Sequence, residues 1–168
     1  MFNFNVRVYG ILKDSNNRVL VSDEFIRGEL FTKFPGGGLE FGEGTRDCLK
    51  REFMEETALD VVVGEHIYTT DHFQLSAFNK EHQILSVYYC VSTPEPISLQ
   101  TKTKPFDFLP DQLTDNTKEY EVFRWINWED FTEEIVDLPL DKIAVRMVKE
   151  LYTAESKKTG RSSFIGSL

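Results

Sequence analysis

Residues that build disulfide frameworks and zinc centres are nearly absent. Among 168 residues there are two cysteines, Cys48 and Cys90, and three histidines, and their spacing forms neither a disulfide framework nor a zinc motif. A reduced, cytoplasmic setting is the expectation. Long apolar runs are missing too, none approaching the roughly 20 residues of a membrane span. The opening MFNFNVRVYG lacks a signal peptide's layout, so no membrane partner is expected. Positive charge is scarce: 19 Lys and Arg stand against 28 Asp and Glu, for a net charge of −9. Polymeric nucleic acid requires a basic surface and is not an expected partner. A small nucleotide stays open, because a metal and a few local cations can meet its phosphates. There is no internal repeat, low-complexity tract or domain linker. What is present, 40% hydrophobic and 28% charged residues, is ordinary for a globular chain, and one this long buries roughly 70% of its unfolded surface. The expectation is one domain over residues 1–154 and a frayed polar tail over 155–168.

Against that background one stretch concentrates the chemistry. Phe34 to Leu59 reads FPGGGLEFGEGTRDCLKREFMEETAL: a glycine run, an acid at Glu43, then a helix-forming segment with Thr45 as its expected N-cap and its end near Ala58. On helical geometry Glu52, Glu55 and Glu56 stand at i, i+3 and i+4 and share one face. They border Leu49 and Phe53, which should pack inward, while Arg46, Asp47 and Lys50 point elsewhere. Like charges so placed repel by roughly 0.2–0.5 kcal/mol per pair even in water, so something positive must sit among them. A divalent cation with oxygen ligands is the economical answer. A merely solvated acidic face would leave the glycine run at fixed distance unexplained.

Gly37, five residues, Glu43, seven residues, then Arg51-Glu52-Phe53-Met54-Glu55-Glu56-Thr57-Ala58-Leu59 resembles the Nudix box, GX5EX7REUXEEXGU with U aliphatic. Every charged position matches. Phe53 stands where a smaller aliphatic is usual, and Ala58 where the last glycine belongs. That glycine often sits in a left-handed conformation costing other residues roughly 1–2 kcal/mol. The resemblance implies an α/β/α sandwich on a mixed sheet, and hydrolysis, with Mg²⁺ or Mn²⁺ and water, of a diphosphate linking a nucleoside to another group. It further implies Glu55 and Glu56 as metal ligands, Glu52 as a third ligand or as the base that activates water, and Arg51 and Glu43 as their supports. The carbonyl of Gly37 or Gly38 would complete the shell, since glycine lets backbone approach closely. A further acid in this family often lies six residues before a tryptophan. Glu119 stands so to Trp125, with Glu121 next on the same strand face. No organic cofactor is implied.

Elsewhere, strands are predicted over Asn5–Leu12 and Arg18–Ser22 as a hairpin, and over Phe31–Phe34. Another is expected from Val61 to Thr70, a second hairpin from Phe73–Phe78 and Gln83–Val91, and a strand over Tyr120–Asn127. A short helix is expected from Trp128 to Ile135, and a closing helix whose inner face carries Leu140, Ile143, Met147 and Leu151. This order supports an α/β fold with a mixed sheet and a helix on each face. Residues 92–118 are irregular, as functional or mobile loops are. Arg7, Arg27 and Lys33 are candidates to reach substrate phosphates. Lys102 and Lys104 beside Phe106 and Phe108 have the makings of a nucleotide clamp. Cys48 reads as a packing residue, and His66, His72 and His82 as surface or strand histidines.

The function expected is that of a metal-dependent diphosphatase acting on a small nucleotide derivative. The alternative is a non-catalytic, effector-sensing domain, a class that tends to carry eroded boxes and a second domain. ADP-ribose, a sugar nucleotide, a nucleoside triphosphate and a damaged nucleotide are all compatible substrates. A homodimer is expected, since many such proteins pair.

Overall fold

The computed structural model describes residues 3–162, with side chains to residue 154. Seven strands and two helices follow in the order β1 (Asn3–Leu12), β2 (Arg18–Ile26), β3 (Glu29–Lys33), β4 (Gly36–Gly38), α1 (Thr45–Thr57), β5 (Val62–Thr69), β6 (His82–Ser92), β7 (Tyr120–Asn127) and α2 (Pro139–Ser162). They form two sheets. One is mixed and four-stranded, β4-β1-β6-β5, with β1 parallel to β6 and the other pairs antiparallel. The second is antiparallel and three-stranded, β3-β2-β7.

Alternation along β1 and β6 explains the layers, because successive side chains face opposite sides of a sheet. Val8 and Leu12 of β1, with Tyr89 and Val91 of β6, pack against Cys48, Leu49 and Phe53 of α1. Tyr9, Ile11 and Tyr88 face the other way, into a core with Leu140, Ala144, Val145 and Val148 of α2. The helices therefore cover opposite faces of the mixed sheet, the sandwich expected. The three-stranded sheet feeds both cores, with Val19, Val21 and Ile126 in one and Leu20 and Phe123 in the other.

Several local expectations are corrected. Gly44 rather than Thr45 is the N-cap of α1. Its N–H donates to Asp47 at 3.3 Å, while the Thr45 hydroxyl is 2.8 Å from that of Tyr89. Phe73–Phe78 makes only an isolated bridge, Leu75 to Gln83. The Ser76 hydroxyl accepts from the N–H groups of Phe78 and Asn79, and these turn bonds divert donors a ladder would need. Between Trp128 and Ile135 only a 3₁₀ turn at Glu133–Ile135 forms. The buried face of α2 runs through Leu140, Asp141, Ala144, Val145 and Val148, whereas Met147 is exposed. Residues 92–118 are tied down: Ile97 and Leu99 pack against the α1 core, Phe108 is buried, and Lys102 donates its N–H to the Phe123 carbonyl at 2.7 Å. The segment expected to fray is helical backbone to Ser162; residues 163–168 lie outside those described.

Helix α1 ends as the substituted box suggests. Ala58 takes the left-handed conformation, φ 57° and ψ 22°, and its N–H bonds the Met54 carbonyl. That position favours glycine by about 1 kcal/mol. Ala58→Gly should therefore raise the urea midpoint of unfolding, and an unchanged or lower midpoint would show that the helix end is not strained.

Candidate active site

Strand β4 lays the glycine run along β1, with Gly37 opposite Val8 and Gly36 opposite Tyr9. Glycine is required here twice. Gly36 has φ +131°, and a Cβ there would strike the Val8 carbonyl. A Cβ on Gly37 would overlap the Glu52 carboxylate, which lies directly against the bare backbone. The glycine-to-helix spacing seen in the sequence is thus a contact in space.

Arg51 joins the loop to the helix. Its Nε donates to Glu43 at 3.1 Å and its Nη2 to the same carboxylate at 2.7 Å. Nη2 also reaches the Gly38 carbonyl at 3.0 Å, and Nη1 reaches Glu52 at 2.9 Å and Glu55 at 3.3 Å. All five guanidinium N–H groups thereby have an oxygen acceptor. The bonds from Arg51 hold Glu43 far below the ordinary carboxylate range, at about 2. Burial, then the nearby Glu43, pushes the Cys48 thiol up to about 12, so it packs as a neutral group.

The positive charge required among the box glutamates is supplied, for Glu52 and Glu55, by Arg51. Glu55 projects outward, its side chain 60% exposed, and is not part of the cleft lining. Glu56 turns the other way and accepts from the Gly36 N–H at 3.1 Å. Among the described residues no three His, Cys, Asp or Glu side chains already form a metal-ready cluster.

Glu52 and Glu56 open into a cleft of about 580 Å³, within the range of small-ligand sites. Its walls come from β1, β2, β4, β6, the start of β7, the turn over Gln74–Asn79 and the start of α2. Glu119 and Glu121 both line it. Glu119 is exposed, just ahead of β7. Glu121 lies within the strand, opposite Glu24, and accepts from the Ser22 hydroxyl at 2.5 Å. Burial first, and then Glu121, raises Glu56 well above the ordinary carboxylate range. Burial and the neighbouring Glu24 do the same to Glu121, against the Ser22 hydrogen bond. Lys33 is buried and bonded to Glu24 at 2.8 Å. Burial lowers its pKa, but Tyr9 and Glu24 hold it above the ordinary lysine value.

Of the three basic residues expected at phosphates, all line the cleft. Arg7 donates to the Tyr9 hydroxyl at 2.6 Å, Arg27 stands at the rim and donates to the Phe78 carbonyl at 2.8 Å, and the Lys33 charge is directed at Glu24. The expected clamp is not there: Lys102, Lys104, Phe106 and Phe108 are absent from the cleft lining, and the side chains of Lys102 and Asp107 pair at 3.7 Å. His66 and His72 bond locally to Thr69 and Asp71, while His82 reaches the cleft. Sequence reasoning missed Glu24, Ser22 and Asp141. Glu24 and Asp141 contribute to the cleft; Glu24 lies beyond the Arg18–Ser22 strand expected from the sequence, which runs on to Ile26, and Asp141 lies in a helix read only for its apolar face.

The model of the NUDIX domain matches residues 3–151. Among solved structures, the fold resembles a NUDIX hydrolase from Nitrosomonas europaea, 17% identical, with TM-score 0.61 over 87% of this chain and 88% of that one. It also resembles the E. coli ORF135 protein, 16% identical, TM-score 0.60, covering 91% and 94%. The MutT protein of Methanosarcina mazei Go1 is similar at 14% identity and TM-score 0.60, covering 89% and 96%. With the box intact at every charged position, the glycine strand seated on Glu52 and the family model spanning nearly the whole described chain, this protein belongs to the Nudix family.

Proposed function

We propose that the cleft hydrolyses a diphosphate linkage in a small nucleoside diphosphate derivative, water attacking phosphorus. The observation that carries this reading is the uncompensated acid pair, Glu56 and Glu121, set in a ligand-sized cleft beside bare glycine backbone. Arg51 pairs with Glu52 and Glu55, and Lys33 with Glu24; among the described residues Glu56 and Glu121 have no such ion pair, and the Lys33 charge reaches them only through space.

That donor set fits Mg²⁺ or Mn²⁺, hard ions that take oxygen ligands. Glu52, Glu55, Glu56, the Gly37 carbonyl and Glu119 are the ligands proposed from the box and its family. Because the Gly38 carbonyl accepts from Arg51, Gly37 is the better loop donor. Glu121 is favoured over Glu119 for the added acid, since it lines the cleft from within β7 and its charge helps to raise the Glu56 pKa. When bound, the ion neutralises phosphate oxygens and lowers the pKa of water. The protein's own groups do the rest. Glu52 holds its oxygen against Gly37, Arg51 and Glu43 keep the helix face in register with the loop, and Arg7 and Arg27 meet phosphate from the open side of the cleft. A nucleotide derivative suits an acidic protein, because the cleft basicity is local. A net-negative chain with this site has no use for polymeric nucleic acid.

Three measurements test the reading. Glu56→Gln should cut magnesium-dependent turnover of a nucleotide panel far more than tenfold; a loss within about tenfold would remove Glu56 from its role. Gly37→Ala should leave the protein folded, since the added methyl meets the far end of the Glu52 side chain and not backbone, but should lower turnover strongly by displacing that carboxylate from Arg51 and the loop. Turnover equal to wild type in that variant would mean that Glu52 need not sit there. The third is linkage. Both raised carboxyls bind protons more tightly folded than unfolded, so the metal-free protein loses stability as pH rises from the ordinary carboxylate range toward about 8, where Glu56 gives up its proton. A divalent cation replaces the proton. Magnesium should therefore raise the melting temperature more near pH 8 than near pH 6, and the opposite order would contradict the assignment.

A further inference from the structure

Strands β1 and β6 run on past the part of the mixed sheet that α1 covers, and there only one of their two faces is used. Alternation sends Asn5, Arg7, Ile84 and Ser86 into the cleft. Phe4, Val6, Gln83 and Leu85 of the same two strands therefore point the opposite way, toward the side of the sheet that carries α1. The segment before β6 extends this face. Leu75 bridges Gln83 and the Ile84 N–H donates to the Gln74 carbonyl at 2.8 Å, a register that sets Phe73 beside Leu85 on the same side. On the other flank the Leu39 N–H donates to the Val6 carbonyl at 2.9 Å, and the chain then turns at Phe41. Phe4 and Phe73 are each 69% exposed and Phe41 109%.

A single exposed phenylalanine needs no explanation, but three at one end of a sheet do. A phenylalanine carries roughly 150–250 Å² of surface, so at these exposures the three rings offer about 400–600 Å² per chain. That matches the largest apolar patch on an ordinary monomer, which is often functional. Two such patches face to face remove about 800–1,200 Å², and the half-buried Val6, Gln83 and Leu85 carry the total into the roughly 1,200–2,000 Å² range of stable interfaces. Charge narrows the partner. The patch itself has none, while exposed Glu40, Asp71 and Glu81 border it, opposed by Lys80. An acidic border on a chain of net charge −9 repels anionic lipid and nucleic acid. A second copy meets the same flat, aromatic surface through a two-fold rotation. The repulsion between two acidic borders is screened beyond about 8 Å at physiological ionic strength, whereas the gain from burying rings is not.

We propose that this bare end of the mixed sheet, centred on Phe4 and Phe73 with Phe41 at its edge, is the surface through which two copies of this chain pair face to face. The cleft occupies the other face of the same strands, so both clefts of the dimer open outward and neither is blocked. The strands that floor each cleft are backed by the second copy. Pairing here does not depend on what the cleft hydrolyses.

The test is sedimentation equilibrium of the full chain from about 1 to about 100 µM. Wild type should dimerise with a Kd of about 10 µM or tighter. Raising salt from about 50 to about 500 mM should leave that constant unchanged or tighten it, because screening relieves repulsion while apolar burial persists. The double variant Phe4→Glu, Phe73→Glu should stay monomeric throughout, a weakening of about a hundredfold or more. The uncharged pair Phe4→Ser, Phe73→Ser should weaken pairing about tenfold or more, and it carries the test if the glutamates disturb the sheet. The melting temperature should rise with protein concentration in wild type and in neither variant. Wild type that is monomeric at the highest concentration overturns the proposal and leaves the face to another partner or to the chain's own termini. A dimer that both variants keep overturns it too, since the contact then lies elsewhere. So does a dimer that salt dissociates, since that interface is ionic.

Discussion

The guanidinium of Arg51 is the fastener on which the site depends. It spans three pieces of chain that are distant in conformation though close in sequence: the glycine strand through the Gly38 carbonyl, the connecting loop through Glu43, and the helix through Glu52 and Glu55. A lysine could neutralise one of these carboxylates but could not grip all of them, because only a planar fork with five donors meets acceptors on several sides at once. With Arg51 in place, Glu52 is held against Gly37, where any side chain would collide. Loop and helix therefore form one rigid corner. Met54, on the same helix and without such partners, is exposed.

That arrangement divides the acids into two groups. Glu43, Glu52 and Glu55 are compensated by Arg51, and Glu24 by Lys33. Glu56 accepts from a backbone N–H and Glu121 from a serine hydroxyl; burial raises both pKa values although the Lys33 charge opposes it. Retaining such a pair in a cleft is unfavourable for stability alone and useful for binding a cation, which is the balance expected at a functional site. The two partners come from different layers, Glu56 from α1 and Glu121 from the three-stranded sheet. The cleft is thus a joint between elements, and its acidity is a property of their assembly.

The opposite wall shows the same dependence on assembly. Tyr88 lies on β6, parallel to β1, and Asp141 lies on α2, 53 residues later. Ring stacking through Tyr9, Tyr68 and Tyr88 places the phenol under the start of α2. The face of α2 turned inward is set by Ala144 and Val148, small residues that let the helix approach, and this rotation carries Asp141 inward while Met147 faces out.

Much of this was legible in one dimension. The box residues, their shared helix face, the left-handed cap at Ala58, most strands and the α/β class follow from local rules of spacing, period and glycine chemistry, which act over a few residues. The Phe73–Phe78 strand and the Trp128–Ile135 helix were misread because hydrogen bonds to Ser76 and Asn127 outcompete local propensity, and patterns of apolar residues do not report them. The source of positive charge beside Glu52 was likewise ambiguous, since a bound ion and a neighbouring arginine satisfy the same pattern. What the chain determined by itself was the family and the box helix. The pairing of Glu56 with Glu121, the removal of Glu55 from the cleft, the loss of the 102–108 clamp and the burial of Asp141 were decided only by tertiary structure. Charge compensation and desolvation depend on which side chains meet across layers, and no interval along the sequence encodes that distance.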